Sequence, residues 1–328
     1  MDSINVSLLY FFLASSKHQK KMYKPLLRWL IKLVGMRPQT VEIEPGTVMN
    51  FWVPNETPNK SKNSNNKAVV LIHGFGADGI TTWQFQVLAL ARKFKVYVPD
   101  LVFFGGSITD RSERSPEFQA ECVAKGLKKL GVERCSLVGL SYGGMVGFKM
   151  AEMYPDLVDS MVLSCSAMAL TKSISDAALE RIGFKSWSDY LLPDSVQGVK
   201  IFFDIATFKL PWKLDWIPNF VYKHYLEVMY DNKEQREELL KALVIDDKDF
   251  TIPHHPQRVH LLWGENDTIF NKEVVNNLMW QLGDRATLQY IEKAGHLVEV
   301  EQPCVYNKHL QEILTTLLED GHQKQRNF

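Results

Sequence analysis

The chain has 328 residues, with 38 basic and 38 acidic side chains, a formal net charge of zero, 45% hydrophobic residues and 23% charged ones. That length can bury a large core, and the composition is that of a globular enzyme rather than a disordered or fibrous chain. The balanced charge excludes the footprint of a nucleic-acid binder and gives no overall polybasic surface.

Residues 6–14 are apolar but too few to span a bilayer. Lys17, Lys20, Lys21 and Lys24 follow this run, whereas a secretory signal carries its charge ahead of it. Residues 26–34 read as a short amphipathic helix with a basic edge. It fits peripheral membrane contact, or, as the preferred reading, a helix packed across a cap. Residues 40–44 and 47–53 flank Pro45-Gly46 and predict an antiparallel hairpin. Residues 55–67 are rich in Asn, Lys and Ser without apolar periodicity, which predicts an exposed loop.

Strands then alternate with helices. Strands are predicted at 68–72, 95–98, 135–138, 160–165, 258–263 and 287–291, and helices at about 82–93, 116–130, after residue 141, and 303–318. Ser115 and Pro116 mark the start of the second helix as N-cap and first position. Short strands, apolar on both faces, joined by helices predict an α/β fold: a mostly parallel central sheet with helices on both faces. The alternation stops at residues 167–252, a stretch dense in aromatics (Trp187, Tyr190, Phe202, Phe203, Phe208, Trp212, Trp216, Phe220, Tyr222, Tyr225). It is too long for a loop and is expected to fold as an inserted helical cap, most of its aromatics forming the cap's own core. The expected organisation is an N-terminal segment 1–39, a first core part 40–166, the cap 167–252 and a second core part 253–328.

Gly139, Ser141 and Gly143 form a Gly-x-Ser-x-Gly pattern where an apolar strand passes directly into a helix. Such a turn strains the central residue, excludes side chains from its neighbours, and holds a serine hydroxyl at the sheet end beside a helix N-terminus. That is a nucleophile's geometry, against the alternative of a glycine-rich turn with an incidental serine. A nucleophilic serine needs a base, an acid to orient it, and oxyanion donors. His296 follows the last strand and so falls on the sheet edge that carries Ser141, where chemistry in open α/β sheets collects. Asp267 follows the penultimate strand and is preferred to Glu265 as the orienting acid. The expected oxyanion donors are the backbone amides of Tyr142 and of Phe75, in the turn His73-Gly74-Phe75-Gly76. His73 is read as a buried brace between two loops. The four cysteines, Cys122, Cys135, Cys165 and Cys304, lack metal-ligand spacing and are expected to be reduced core residues of a cytosolic-type protein, with no metal and no cofactor.

Taken together, His73–Gly76, Gly139–Gly143, Trp263–Asp267 and Gly295-His296 resemble the α/β-hydrolase superfamily over about residues 40–318. The stretches 37–41 and 103–105 look most like its plant lipase-like or esterase-like branch. The resemblance implies a serine hydrolase acting through Ser141, His296 and Asp267 on a small apolar carboxylic ester. Phe103 and Phe104, where many relatives carry glycine and a small or basic residue, imply an apolar pocket mouth. Carbon–carbon bond hydrolases, lyases and hormone-receptor members share the fold, so a receptor with an idle triad stands as the alternative.

Overall fold

A computed structural model describes residues 23–55, 68–208, 219, 222–223, 225–226 and 231–326, with side chains described as far as residue 317. The apolar run at 6–14, most of the predicted loop at 55–67, and Trp212, Trp216 and Phe220 lie outside the described residues.

The first helix, α1 (Tyr23–Leu33), leads into a hairpin of β1 (Met36–Glu44) and β2 (Thr47–Pro54), paired antiparallel about the Pro45-Gly46 turn. Gly46 takes φ +81°, which few other residues tolerate. Strand β1 begins at Met36, four residues before the predicted start. Pro38 lies inside it, because β1 is an edge strand, where a missing amide donor can be tolerated. Helix α1 packs on the hairpin and the first core helices, not across the cap, with Leu27 and Ile31 buried.

Next come β3 (Ala68–Ile72), α2 (Gly79–Thr82), α3 (Gln84–Leu90), β4 (Lys95–Pro99), β5 (Ile108–Thr109), α4 (Pro116–Lys129), β6 (Cys135–Leu140), α5 (Tyr142–Met153) and β7 (Val158–Ser164). The helix predicted at 82–93 is two pieces, broken at Trp83, whose backbone leaves the helical region while its ring is fully buried. Helix α4 starts as expected: Ser115 Oγ accepts the Phe118 amide, and Pro116 takes the first turn.

The inserted segment holds β8 (Leu170–Thr171), α6 (Lys172–Ile182), α7 (Trp187–Leu191), α8 (Val196–Ala206), α9 (Lys233–Leu243) and β9 (Val244–Ile245). No strand was expected here, yet β8 and β9 pair in parallel as a two-residue ribbon. Two residues are too few for a pattern to register. Trp187, Tyr190, Phe202 and Tyr222 are buried, giving the insert its own aromatic core.

The chain returns through β10 (Arg258–Gly264), α10 (Lys272–Leu282), β11 (Ala286–Ile291), α11 (Val298–Glu301) and α12 (Pro303–Arg326). Among the described residues, nine strands make one sheet in the order β1-β2-β4-β3-β6-β7-β10-β11, with β5 on β2. Everything from β4 to β11 is parallel, and every residue of β3 and β6 is buried, because helices cover both faces. Cys122, Cys135 and Cys165 are buried free thiols. Cys304, expected in the core, is exposed on the first turn of α12.

Candidate active site

Strand β6 ends at Leu140, and α5 begins at Tyr142, so Ser141 alone must turn the chain. It does so at φ +51°, ψ −118°. Such strain in a non-glycine residue costs about 1–3 kcal/mol and persists only where the surroundings impose it. The surroundings are backbone. A Cβ on Gly143 would stand 2.2 Å from the Ile72 carbonyl oxygen and 2.4 Å from that of His73, and one on Gly139 would stand 2.8 Å from the carbonyl oxygen of Gly143. Neighbouring strands hold the turn in turn: the Ser141 amide donates to Ser164 O at 2.9 Å, and Ser166 Oγ donates to Ser141 O at 2.7 Å.

The loop after β3 abuts this turn, since a Cβ on Gly74 would lie 3.6 Å from Ser141 Cβ. Among the described residues, neither the Phe75 amide nor the Tyr142 amide donates to a backbone acceptor. The Phe75 and Tyr142 rings meet edge to face at 5.9 Å. Behind them His73 acts as a brace: its Nδ1–H donates to Gly74 O at 2.7 Å, and its Nε2 accepts the Leu101 amide at 2.9 Å. Burial pushes the His73 imidazole down to about 4, so it stays neutral and keeps this tautomer.

Phe103 and Phe104 are not at an open mouth: both are buried, Phe104 completely. The Phe104 ring packs against His73 and Phe75, and the Arg236 guanidinium from α9 lies 4.3 Å from its centroid. Arg236 Nε also donates to Phe103 O at 3.1 Å. Phe104 therefore packs against the loop that carries the Phe75 amide, while Arg236 ties the Phe103 carbonyl to the insert.

Asp267 and His296 are brought together from successive loops of the same sheet edge. His296 Nδ1 lies 3.0 Å from Asp267 Oδ2, while Asp267 Oδ1 accepts the amides of Ile269 at 2.8 Å and Phe270 at 3.0 Å. The carboxylate is thus saturated and fixed, and it holds the proton of His296 on Nδ1. Two glycines let the loops touch: a Cβ on Gly264 would stand 1.9 Å from Gly295 O. Ser141 Oγ makes no hydrogen bond in this conformation, to His296 or to any other described residue. Cys165 Sγ, Asp267 and His296 lie within 4.8 Å of one another. Burial raises the Cys165 thiol far above its usual range, which keeps it protonated.

One residue was missed in the sequence. Glu301 Oε2 accepts the Gly295 amide at 2.7 Å and the Phe208 amide, just past the end of α8, at 3.0 Å. The same end of α8 receives two more bonds from the site loops. Leu297 N donates to Ala206 O at 3.0 Å, and Thr268 Oγ1 donates to Ile205 O at 3.1 Å. The neighbours of both His296 and Asp267 are therefore stitched to the cap. Above the Phe75 loop the insert adds a cluster of rings: Phe202 stacks on Tyr225 at 5.7 Å, and Tyr225 Oη donates to Gly76 O at 2.9 Å.

A serine elbow between the fifth and sixth positions of such a sheet, with an Asp–His pair on later loops of the same edge, defines the α/β-hydrolase fold, and this chain has that fold. The family model for the alpha/beta hydrolase fold matches residues 67–190. Over 108 residues the chain is 39% identical to an uncharacterized protein of Mycobacterium tuberculosis, a match covering 33% of this chain and only 31% of that protein's length. Among solved structures, a membrane phospholipase A that is a bacterial virulence factor is 23% identical, with 95% of this chain and 94% of that one covered at a TM-score of 0.73. An esterase from Thermogutta terrifontis is 21% identical, covering 86% and 98% at 0.64. At these identities the likeness is one of fold.

Proposed function

We propose that the protein is a serine hydrolase of carboxylic esters with an apolar acyl or alcohol part. The observation that carries this reading is the buried His296–Asp267 hydrogen bond on the sheet edge that presents the strained Ser141. In this reading Ser141 Oγ attacks the ester carbonyl, and His296 Nε2 takes its proton. His296 then returns that proton to the departing alcohol, leaving an acyl-enzyme. Water activated by the same imidazole releases the acid. Asp267 keeps the imidazole in the required tautomer and stabilises the imidazolium. The Phe75 and Tyr142 amides, with the N-terminus of α5 behind the latter, receive the oxyanion charge.

The apolar preference rests on the rings of Phe202, Phe203 and Tyr225 gathered over the Phe75 loop; the nearby Arg236 guanidinium is already taken up by the Phe104 ring and the Phe103 carbonyl. Lipid- and ester-cleaving proteins stand among the solved structures of the same fold, beside hydrolases of meta-cleavage products. The lipase-like or esterase-like plant branch suggested by residues 37–41 and 103–105 is the finer placement we propose. The test is turnover of a short-chain activated ester, together with covalent labelling by a fluorophosphonate. Both should be present in the wild-type protein and absent in Ser141→Ala, with the label mapped to the peptide bearing Ser141. A folded protein that neither turns over the ester nor takes the label would instead favour the binding-protein alternative.

A further inference from the structure

Helix α1 presents three ridges, each spaced four residues apart. Leu27 and Ile31 form the buried ridge that seats the helix on the core. On the opposite side, Pro25, Trp29 and Leu33 form a second apolar ridge, with Trp29 55% and Leu33 60% exposed. Between the two runs Lys24, Arg28 and Lys32, and the helix holds no acidic residue. Arg28 and Lys32 are exposed and make no ion pair among the described residues, whereas Lys24 is tied to Asp78 at 3.2 Å. In sequence, Lys17, Lys20 and Lys21 precede the helix with no acid among them.

This second apolar ridge faces away from the core formed by the described residues. An indole and a leucine side by side, flanked by a row of unpaired cations, match the chemistry of a bilayer surface: the ring enters the interface, and the cations meet anionic headgroups. The helix is also tied to the site loop: its first turn is bound to Asp78, two residues past Gly76 of the loop that carries the Phe75 amide. No described helix is long and apolar enough to cross a membrane, so this contact is with the surface.

We infer that the outer face of α1 is a docking surface for anionic lipid bilayers, with Trp29 and Leu33 as the inserted residues and Arg28 and Lys32 as the headgroup contacts. The inference stands apart from the proposed ester chemistry, which it would serve by delivering apolar esters from the membrane.

The experiment is co-sedimentation of the full chain with vesicles of phosphatidylcholine alone, or with about one-third phosphatidylserine, alongside turnover of a soluble ester and gel filtration. Wild type should sediment with the anionic vesicles and be released as salt rises. Each basic residue near an anionic surface is worth about fivefold in partitioning, so R28Q/K32Q should lose about 25-fold. W29S/L33S should lose at least about tenfold. Both variants should keep wild-type circular dichroism and soluble-ester turnover. Wild type remaining in the supernatant with both vesicle types overturns the inference, as do variants that sediment like wild type. A W29S/L33S change from dimer to monomer with unaltered sedimentation also overturns it, and assigns the ridge to a second copy of the chain. Vesicle binding shared by wild type and Ser141→Ala, in a protein that turns over no ester, would uphold the docking surface while removing the proposed hydrolysis.

Discussion

The carboxylate of Glu301 holds the amide of Gly295 at 2.7 Å, one residue before His296, and with the same oxygen it holds the amide of Phe208, two residues beyond helix α8 of the cap. Base loop and cap thus share one anchor. Hydrogen bonds to a charged acceptor contribute about 1.5–3 kcal/mol each. Glu301→Ala should lower kcat at least about tenfold and lower stability by roughly 2–4 kcal/mol. In Glu301→Gln the amide carbonyl can still accept both N–H groups, so most of kcat should return. Equal loss in the two variants, or loss confined to stability with kcat unchanged, would show that the anchor does not position His296.

Gly143 faces the carbonyl oxygens of Ile72 and His73, and no side-chain movement can relieve a methyl group placed there. Gly143→Ala should therefore shift the elbow itself. The expected cost is more than about 3 kcal/mol of stability, with fluorophosphonate labelling of Ser141 lost even in the folded fraction. Normal labelling of a stable Gly143→Ala protein would contradict the described contact.

Glu299 is buried on α11, with neither carboxyl oxygen hydrogen-bonded, and burial pushes its carboxyl up to about 8 from 4.5. The folded state therefore holds a proton that the unfolded state releases near pH 4.5. Stability from this group is complete below that pH, declines as pH rises to about 8, and is flat beyond. Glu299→Gln removes the titration. Its melting temperature should match wild type near pH 4.5 and exceed it by several degrees at pH 8, as read by calorimetry across that range. A constant offset at all pH values would argue that Glu299 does not titrate in this window.

The rings over the Phe75 loop predict an acyl-length dependence. Each buried methylene is worth about 0.8 kcal/mol, so kcat/KM should climb several-fold per carbon over the first few carbons and fall once the space is full. Charged acyl groups should be poor substrates. Acetate and octanoate esters cleaved equally well would mean that Phe202, Phe203 and Tyr225 serve only the insert's own core.

What could be read from the sequence and what could not divide along physical lines. The Ser141 elbow was legible because backbone crowding at Gly139 and Gly143 forces a fixed local spacing. The loops of Asp267 and His296 were legible because each follows a short strand-like run rich in apolar residues, Arg258–Gly264 and Ala286–Ile291. Glu301 was not, since its role comes from a contact with Phe208, 93 residues away, and a glutamate two residues before a proline carries no local mark of it. The surroundings of Phe103 and Phe104 were not legible either: their hydrophobicity signals burial, but not whether the burial lies under a loop or around a substrate.

The two-residue ribbon of Leu170–Thr171 with Val244–Ile245 has a wider consequence. It brings the entry and exit of the insert side by side, so the chain leaves and rejoins the sheet through a single doorway. An excursion with adjoining ends is a cassette. Its length and sequence can drift, or be exchanged for another, while the strands below keep their register and the serine its setting. The substrates such a protein accepts are then free to diverge much faster than its chemistry.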